Sequence, residues 1–129
     1  MPIKVLLADD REVVRKAISR ILMEDPAIEL VGEATDYNQA AQMVKDLKPH
    51  IVVMDLHLPG QHQDRHEEVK SHLDHGSKLI ATSFSVDEKS QELAKRFGAV
   101  RFLDKMNLFD ELVPAILQLG SADSGRREN

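Results

Sequence analysis

Five short apolar, β-branched runs punctuate the chain: Ile3 to Ala8, Ile28 to Gly32, Ile51 to Met54, Leu79 to Thr82 and Val100 to Leu103. They begin at 3, 28, 51, 79 and 100, so successive starts lie 21 to 28 residues apart. Such an interval holds one strand, one helix and two short loops, the spacing of βαβ units in a parallel sheet. Val5 to Ala8 and Ile51 to Met54 are apolar throughout, as strands covered on both faces require.

Between the runs the period changes from two to about 3.6. Val13, Val14, Ala17, Ile18, Ile21 and Leu22 form one helical stripe, closed by Asp25-Pro26; Ala40, Ala41, Val44 and Leu47 form a second, closed by Pro49. Leu93, Ala94 and Phe97 precede Gly98, a natural C-terminal cap, and Leu108, Leu112, Ile116 and Leu119 follow Asn107, a candidate N-cap. Pro114 removes one hydrogen bond inside that last helix and predicts a kink or a later start. The third stretch between strand runs, from Gly60 to Ser77, is poor in apolar residues. Only Val69 and Leu73 suit burial there, predicting a short helix from about Asp64 to Asp74. After Leu119 the apolar period stops, so residues 120–129 read as a flexible tail or linker stump behind a domain of residues 1–119.

Composition narrows the function classes. The 129 residues carry 17 Lys and Arg against 22 Asp and Glu, a net charge of −5, which opposes direct nucleic-acid binding by this piece. A chain of this length forms one domain that buries roughly two thirds of its unfolded surface. No apolar run approaches the ~20 residues that span a bilayer, and Met1-Pro2-Ile3-Lys4 leads straight into a strand. The expectation is a cytoplasmic protein with no membrane contact. The absence of cysteine excludes disulfides, thiolate metal sites and cysteine nucleophiles.

Open α/β sheets carry their sites at the carboxyl ends of the strands. Those ends bring Asp9, Asp10, Asp55, Ser83 and Lys105 toward one edge. Three carboxylates within a few ångströms cannot all remain ionised without a cation, so one is protonated or a metal sits among them. Oxygen-only ligands at a wet edge suit Mg2+. With Lys105 and the Ser83 hydroxyl facing it, such an ion would stabilise a transferring phosphoryl group, and Asp55 would be the nucleophile. Taken singly, each acid is as well explained by helix capping, Asp10 for instance at the first helix. The convergence favours a site.

Four segments, in order, resemble the receiver domain of two-component response regulators: Val5-Leu6-Leu7-Ala8-Asp9-Asp10, Val52-Val53-Met54-Asp55-Leu56-His57-Leu58-Pro59-Gly60, Ile80-Ala81-Thr82-Ser83 and Gly98-Ala99-Val100-Arg101-Phe102-Leu103-Asp104-Lys105. Glu24-Asp25-Pro26 and Val31-Gly32-Glu33-Ala34 resemble the NarL/FixJ-type subfamily most. The resemblance implies a doubly wound, flavodoxin-like (βα)5 domain with strand order 2-1-3-4-5. It implies Asp55 as phosphoacceptor, Mg2+ on Asp10, Asp55 and the backbone carbonyl of His57 with Asp9 acting through water, phosphate contacts from Ser83 and Lys105, and Phe102 as the aromatic switch residue. The implied partners are a sensor histidine kinase or a phosphotransfer protein. The resemblance also allows a homodimer and implies transcription regulation as an output. The domain would be a regulatory phosphoacceptor and not an enzyme. NarL-like relatives continue into a helix-turn-helix domain absent from these 129 residues, so the chain is expected to be a stand-alone receiver or one cut from a longer regulator.

Some positions depart from the family pattern. Met106 replaces a common proline, Gln63 a common glycine, and Phe84 a small residue, where its ring would crowd the phosphate. A receiver-fold binding module that is poorly or never phosphorylated is therefore an alternative. His57, His62, His66, His72 and His75 cluster in one polar stretch. His62 and His66, four apart, have a spacing that can hold zinc or nickel and would serve a metal-dependent hydrolase. A solvated polar helix is the simpler account of them.

Overall fold

The computed structural model describes residues 2–59, 70–71, 73 and 76–128, with the backbone alone from 121 to 128. Five strands, β1 (Ile3–Ala8), β2 (Ile28–Ala34), β3 (Ile51–Asp55), β4 (Lys78–Ser83) and β5 (Arg101–Asp104), form one sheet in the order β2-β1-β3-β4-β5. All four pairings are parallel. This is the flavodoxin-like topology. The register skips Val31, so that Val5 faces Leu30 and Leu6 faces Gly32, a bulge in the edge strand β2.

The continuous apolar runs follow from alternation of side chains across the sheet. Leu6, Ala8, Val52, Met54, Leu79 and Ala81 face one side; Val5, Leu7, Ile51, Val53 and Ile80 face the other. The first face is covered by α2 (Tyr37–Leu47) and α3 (Glu88–Arg96) through Tyr37, Ala40, Val44, Ala94 and Phe97. The second is covered by α1 (Glu12–Glu24) and α4 (Leu108–Glu128) through Ile18, Leu22, Leu108, Leu112, Ala115 and Ile116.

The helix ends obey local chemistry. Asp36 caps α2 by accepting the Gln39 N–H at 2.8 Å, while the Gln39 side chain accepts the Thr35 N–H at 2.9 Å. Asp87 caps α3 through the Ser90 N–H at 2.8 Å, and that bond is the main cause holding its carboxyl below the usual aspartate range. At the other end of α3, Gly98 takes φ +80°. Its N–H bonds Lys95 O at 2.9 Å and the Ala99 N–H bonds Ala94 O at 3.0 Å, a Schellman closure that needs a left-handed residue. Gly120 is buried where α4 meets β1, and a Cβ there would overlap the Ile3 side chain.

Several expectations are corrected. Val13 is 82% exposed, because it lies about 140° around α1 from Ile18, off the buried stripe. The last helix does start directly after Asn107, but Asn107 belongs to a helical turn that precedes it. Lys105–Asn107 form a 3-10 turn, capped when Asp104 accepts the Met106 N–H at 2.9 Å, and α4 then starts at Leu108 with the exposed Pro114 inside it. The backbone expected to be a tail from 120 is helical as far as Glu128; the end of the apolar period marks the end of a packing stripe and not of the helix. Of the predicted helix at 64–74, only Lys70, Ser71 and Leu73 lie within the described residues. They are helical, and Leu73 is buried.

Candidate functional site

Because all strands run the same way, their carboxyl ends share one edge. Asp55 ends β3, Ser83 ends β4, Asp9 follows β1 and Lys105 follows β5. Backbone bonds fix the rims: the Asp9 N–H meets Ala34 O at 3.0 Å, and the Leu56 N–H meets Thr82 O at 3.0 Å. Asp9, Asp55, Ser83 and Lys105 are buried, while Asp10 is exposed.

The Lys105 ammonium donates to Asp9 Oδ2 at 2.6 Å and to Asp55 Oδ2 at 2.9 Å. The other oxygens of both acids accept backbone N–H groups two residues on: Arg11 to Asp9 Oδ1 and His57 to Asp55 Oδ1, each at 2.9 Å. Asp9, Asp10 and Asp55 each offer a carboxylate oxygen within 4.8 Å of the others. Three carboxylates against one ammonium leave two negative charges in excess. A hard cation fits that excess and the all-oxygen donor set.

A cavity of about 210 Å³ opens over these groups, lined by Asp10, Arg11, Asp55, His57, Ser83, Phe84, Ser85 and Lys105. Ser83 Oγ accepts the Ser85 N–H at 3.0 Å. The Phe84 ring is 46% exposed. The Arg11 guanidinium and the Lys105 ammonium each lie 5.2 Å from its centroid. Five strand-end residues singled out in the sequence, Asp9, Asp10, Asp55, Ser83 and Lys105, are thus brought together, with His57 at the rim. Phe102 is apart from them. It packs on the core under α3 and lines a second cavity, of about 510 Å³, with Val86, Val100 and Glu111. His62 and His66 lie outside the described residues. Arg11 and Ser85 are the lining residues that the sequence does not single out; the only signal for each is its place just after a strand-end site residue.

Residues 5–117 match the model of the response regulator receiver domain. The chain belongs to the response regulator receiver family. Receivers interact with histidine kinases and phosphotransfer proteins, and membership supports a regulatory role. Among curated proteins, this receiver is 31% identical over 115 residues to the transcriptional regulatory protein LiaR of Bacillus subtilis, with 88% of this chain and 54% of LiaR aligned. It is 31% identical over 139 residues to a protein-glutamate methylesterase/protein-glutamine glutaminase of Koribacter versatilis, with 97% of this chain and 37% of that protein aligned. The receiver therefore spans about half or less of these relatives. Among solved structures, it superimposes on the response regulator domain of Thermotoga maritima CheB with a TM-score of 0.78 at 25% identity, covering 92% of this chain and 96% of that one. The receiver domain of NarL from Mycobacterium tuberculosis gives 0.81 at 24% identity, covering 91% and 94%. Among the described residues no helix is long and apolar enough to cross a membrane.

Proposed function

We propose that this receiver accepts a phosphoryl group on Asp55 from a histidine kinase or phosphotransfer protein, in a magnesium-dependent reaction, and so switches its interactions with partners. The observation that carries the reading is the Lys105 ammonium held at 2.6 and 2.9 Å between the Asp9 and Asp55 carboxylates, in a three-acid cluster beneath an open cavity.

A carboxylate oxygen of Asp55 forms the new P–O bond as the P–N bond to the donor imidazole breaks, its electron pair leaving with the nitrogen. Lys105 supplies positive charge to the phosphoryl oxygens without needing a proton transfer. Asp10 and Asp55 would hold Mg2+ directly, Asp9 through water, with the His57 carbonyl as a further oxygen. When bound, the ion neutralises charge on the carboxylates and the phosphoryl group. Ser83 contacts the phosphoryl oxygens, and Phe102 answers its movement. In this reading residues 1–119 are the switch, 120–129 connect it onward, and the protein works in the cytoplasm. In this reading the chain, with its net charge of −5, does not itself hold a nucleic-acid backbone.

The test is incubation with acetyl phosphate, with and without Mg2+, followed by intact-mass measurement. The wild type is expected to gain one phosphoryl group only with Mg2+, and Asp55→Asn to gain none. If the wild type gains none and its fluorescence or NMR spectrum is unmoved by beryllofluoride, the chain is a receiver-fold binding module instead.

A further inference from the structure

We infer that Arg11, stacked on the ring of Phe84, is the positioning residue that receives the phosphoryl dianion of an incoming donor at the cavity mouth; this rests on the reading of Asp55 as acceptor. A phosphodonor is anionic and must approach an edge carrying three carboxylates. The cations near that edge are not equivalent. Lys105 is buried, with its ammonium bonded to Asp9 and Asp55. Arg15 donates to Asp9 O at 3.1 Å and to Glu33 Oε1 at 3.2 Å. Arg11 lines the cavity and, among the described residues, its guanidinium has no carboxylate or hydrogen-bond partner.

What holds the Arg11 guanidinium is the Phe84 ring, 5.2 Å away. Attraction between a cation and an aromatic ring orients the group without using any of its N–H donors. The fork that matches a phosphate therefore stays available. This also accounts for a large aromatic side chain left 46% exposed at a strand end, where the sequence alone suggested only crowding. The two accounts of Phe84 predict opposite signs. A ring that merely obstructs the cavity slows phosphorylation, so truncating it accelerates the reaction. A ring that presents Arg11 speeds capture of the donor, so truncating it slows the reaction.

The experiment has two arms on the full chain with Mg2+. Titration calorimetry with acetonylphosphonate, in which a methylene replaces the bridging oxygen of acetyl phosphate, reads binding whether or not Asp55 reacts. Arg11→Ala is expected to bind about tenfold more weakly than wild type, and Phe84→Leu about threefold more weakly. The rate of phosphorylation by acetyl phosphate at subsaturating concentration is expected to fall by the same factors, with Arg11→Lys only partly restoring it. Wild-type binding in Arg11→Ala, or faster phosphorylation in Phe84→Leu, overturns the inference. Arg11-dependent binding without any phosphorylation of the wild type would instead overturn the role of Asp55 and leave the Arg11 site standing.

Discussion

At the scale of single residues, the site is governed by a charge count that Lys105 only partly balances. Its side chain is 1% exposed, as is that of Asp9, so the ammonium and the two carboxylates it bridges are largely removed from water. Deleting one partner of such a group leaves the rest uncompensated, which costs far more than the intact pair contributes. Lys105→Met is expected to lose about 3 kcal/mol of stability, measured by urea denaturation without Mg2+, and adding Asp9→Asn should recover part of that loss; equal stability of single and double variants would show that Asp9 carries no uncompensated charge. The acids, Ser83 and Lys105 were legible in the sequence because each lies within two residues of the end of an apolar strand run, and parallel strands deliver their ends to one edge. Arg11 was not, since its ring partner Phe84 lies far along the chain and only the folded sheet brings the two together. Phe102 was legible as a residue of β5, but its distance from the Asp55 cavity was not.

Elements are set by punctuation, and punctuation is the most readable part of the chain. Pro26 ends α1 because the residue before a proline leaves the helical region, Asp25 being extended; α2 ends where Lys48, before Pro49, turns left-handed at φ 47°, and Gly98 closes α3 at φ +80°. The start of α2 rests on polar side chains instead. Asp36 accepts the Gln39 N–H, and Gln39 reaches back to the Thr35 N–H and hydroxyl at 2.9 and 3.1 Å. Asp36→Ala is expected to cost about 1 kcal/mol in denaturant unfolding, with the dependence on denaturant unchanged. Asp36→Asn should cost much less, since its side-chain oxygen still accepts. Where punctuation is weak the reading from sequence drifted. Asn107 resembles a cap, yet Asp104 caps the turn before α4, because a three-residue 3-10 turn runs straight into the long last helix and a period cannot show which begins first. Val13 looked buried because it neighbours Val14, although one step around a helix is enough to turn a side chain to solvent.

For the molecule as a whole, the sheet divides the core into two apolar layers, and a parallel sheet of βαβ units was legible from the even spacing of five apolar runs. The strand order was not in that spacing; it came from resemblance, and the pairings bear it out. The spacing also could not show that the two ends of the domain meet. Gly120 on α4 lies against Ile3, the first residue of β1, so closely that a Cβ there would displace the Ile3 side chain. Joining residues separated by nearly the entire chain carries a high loop-closure cost, so such a contact belongs to the last steps of folding. Gly120→Val, which forces a side chain into Ile3, is expected to destabilise the domain by about 1–3 kcal/mol. In stopped-flow experiments nearly all of that change should appear as faster unfolding, with the folding arm scarcely moved. A slowed folding arm would mean the ends meet early, and Ile3→Ala in the same chain should restore the unfolding rate. On that expectation the contact between first strand and last helix sets how long the fold lasts once made, and hardly at all how quickly it is made.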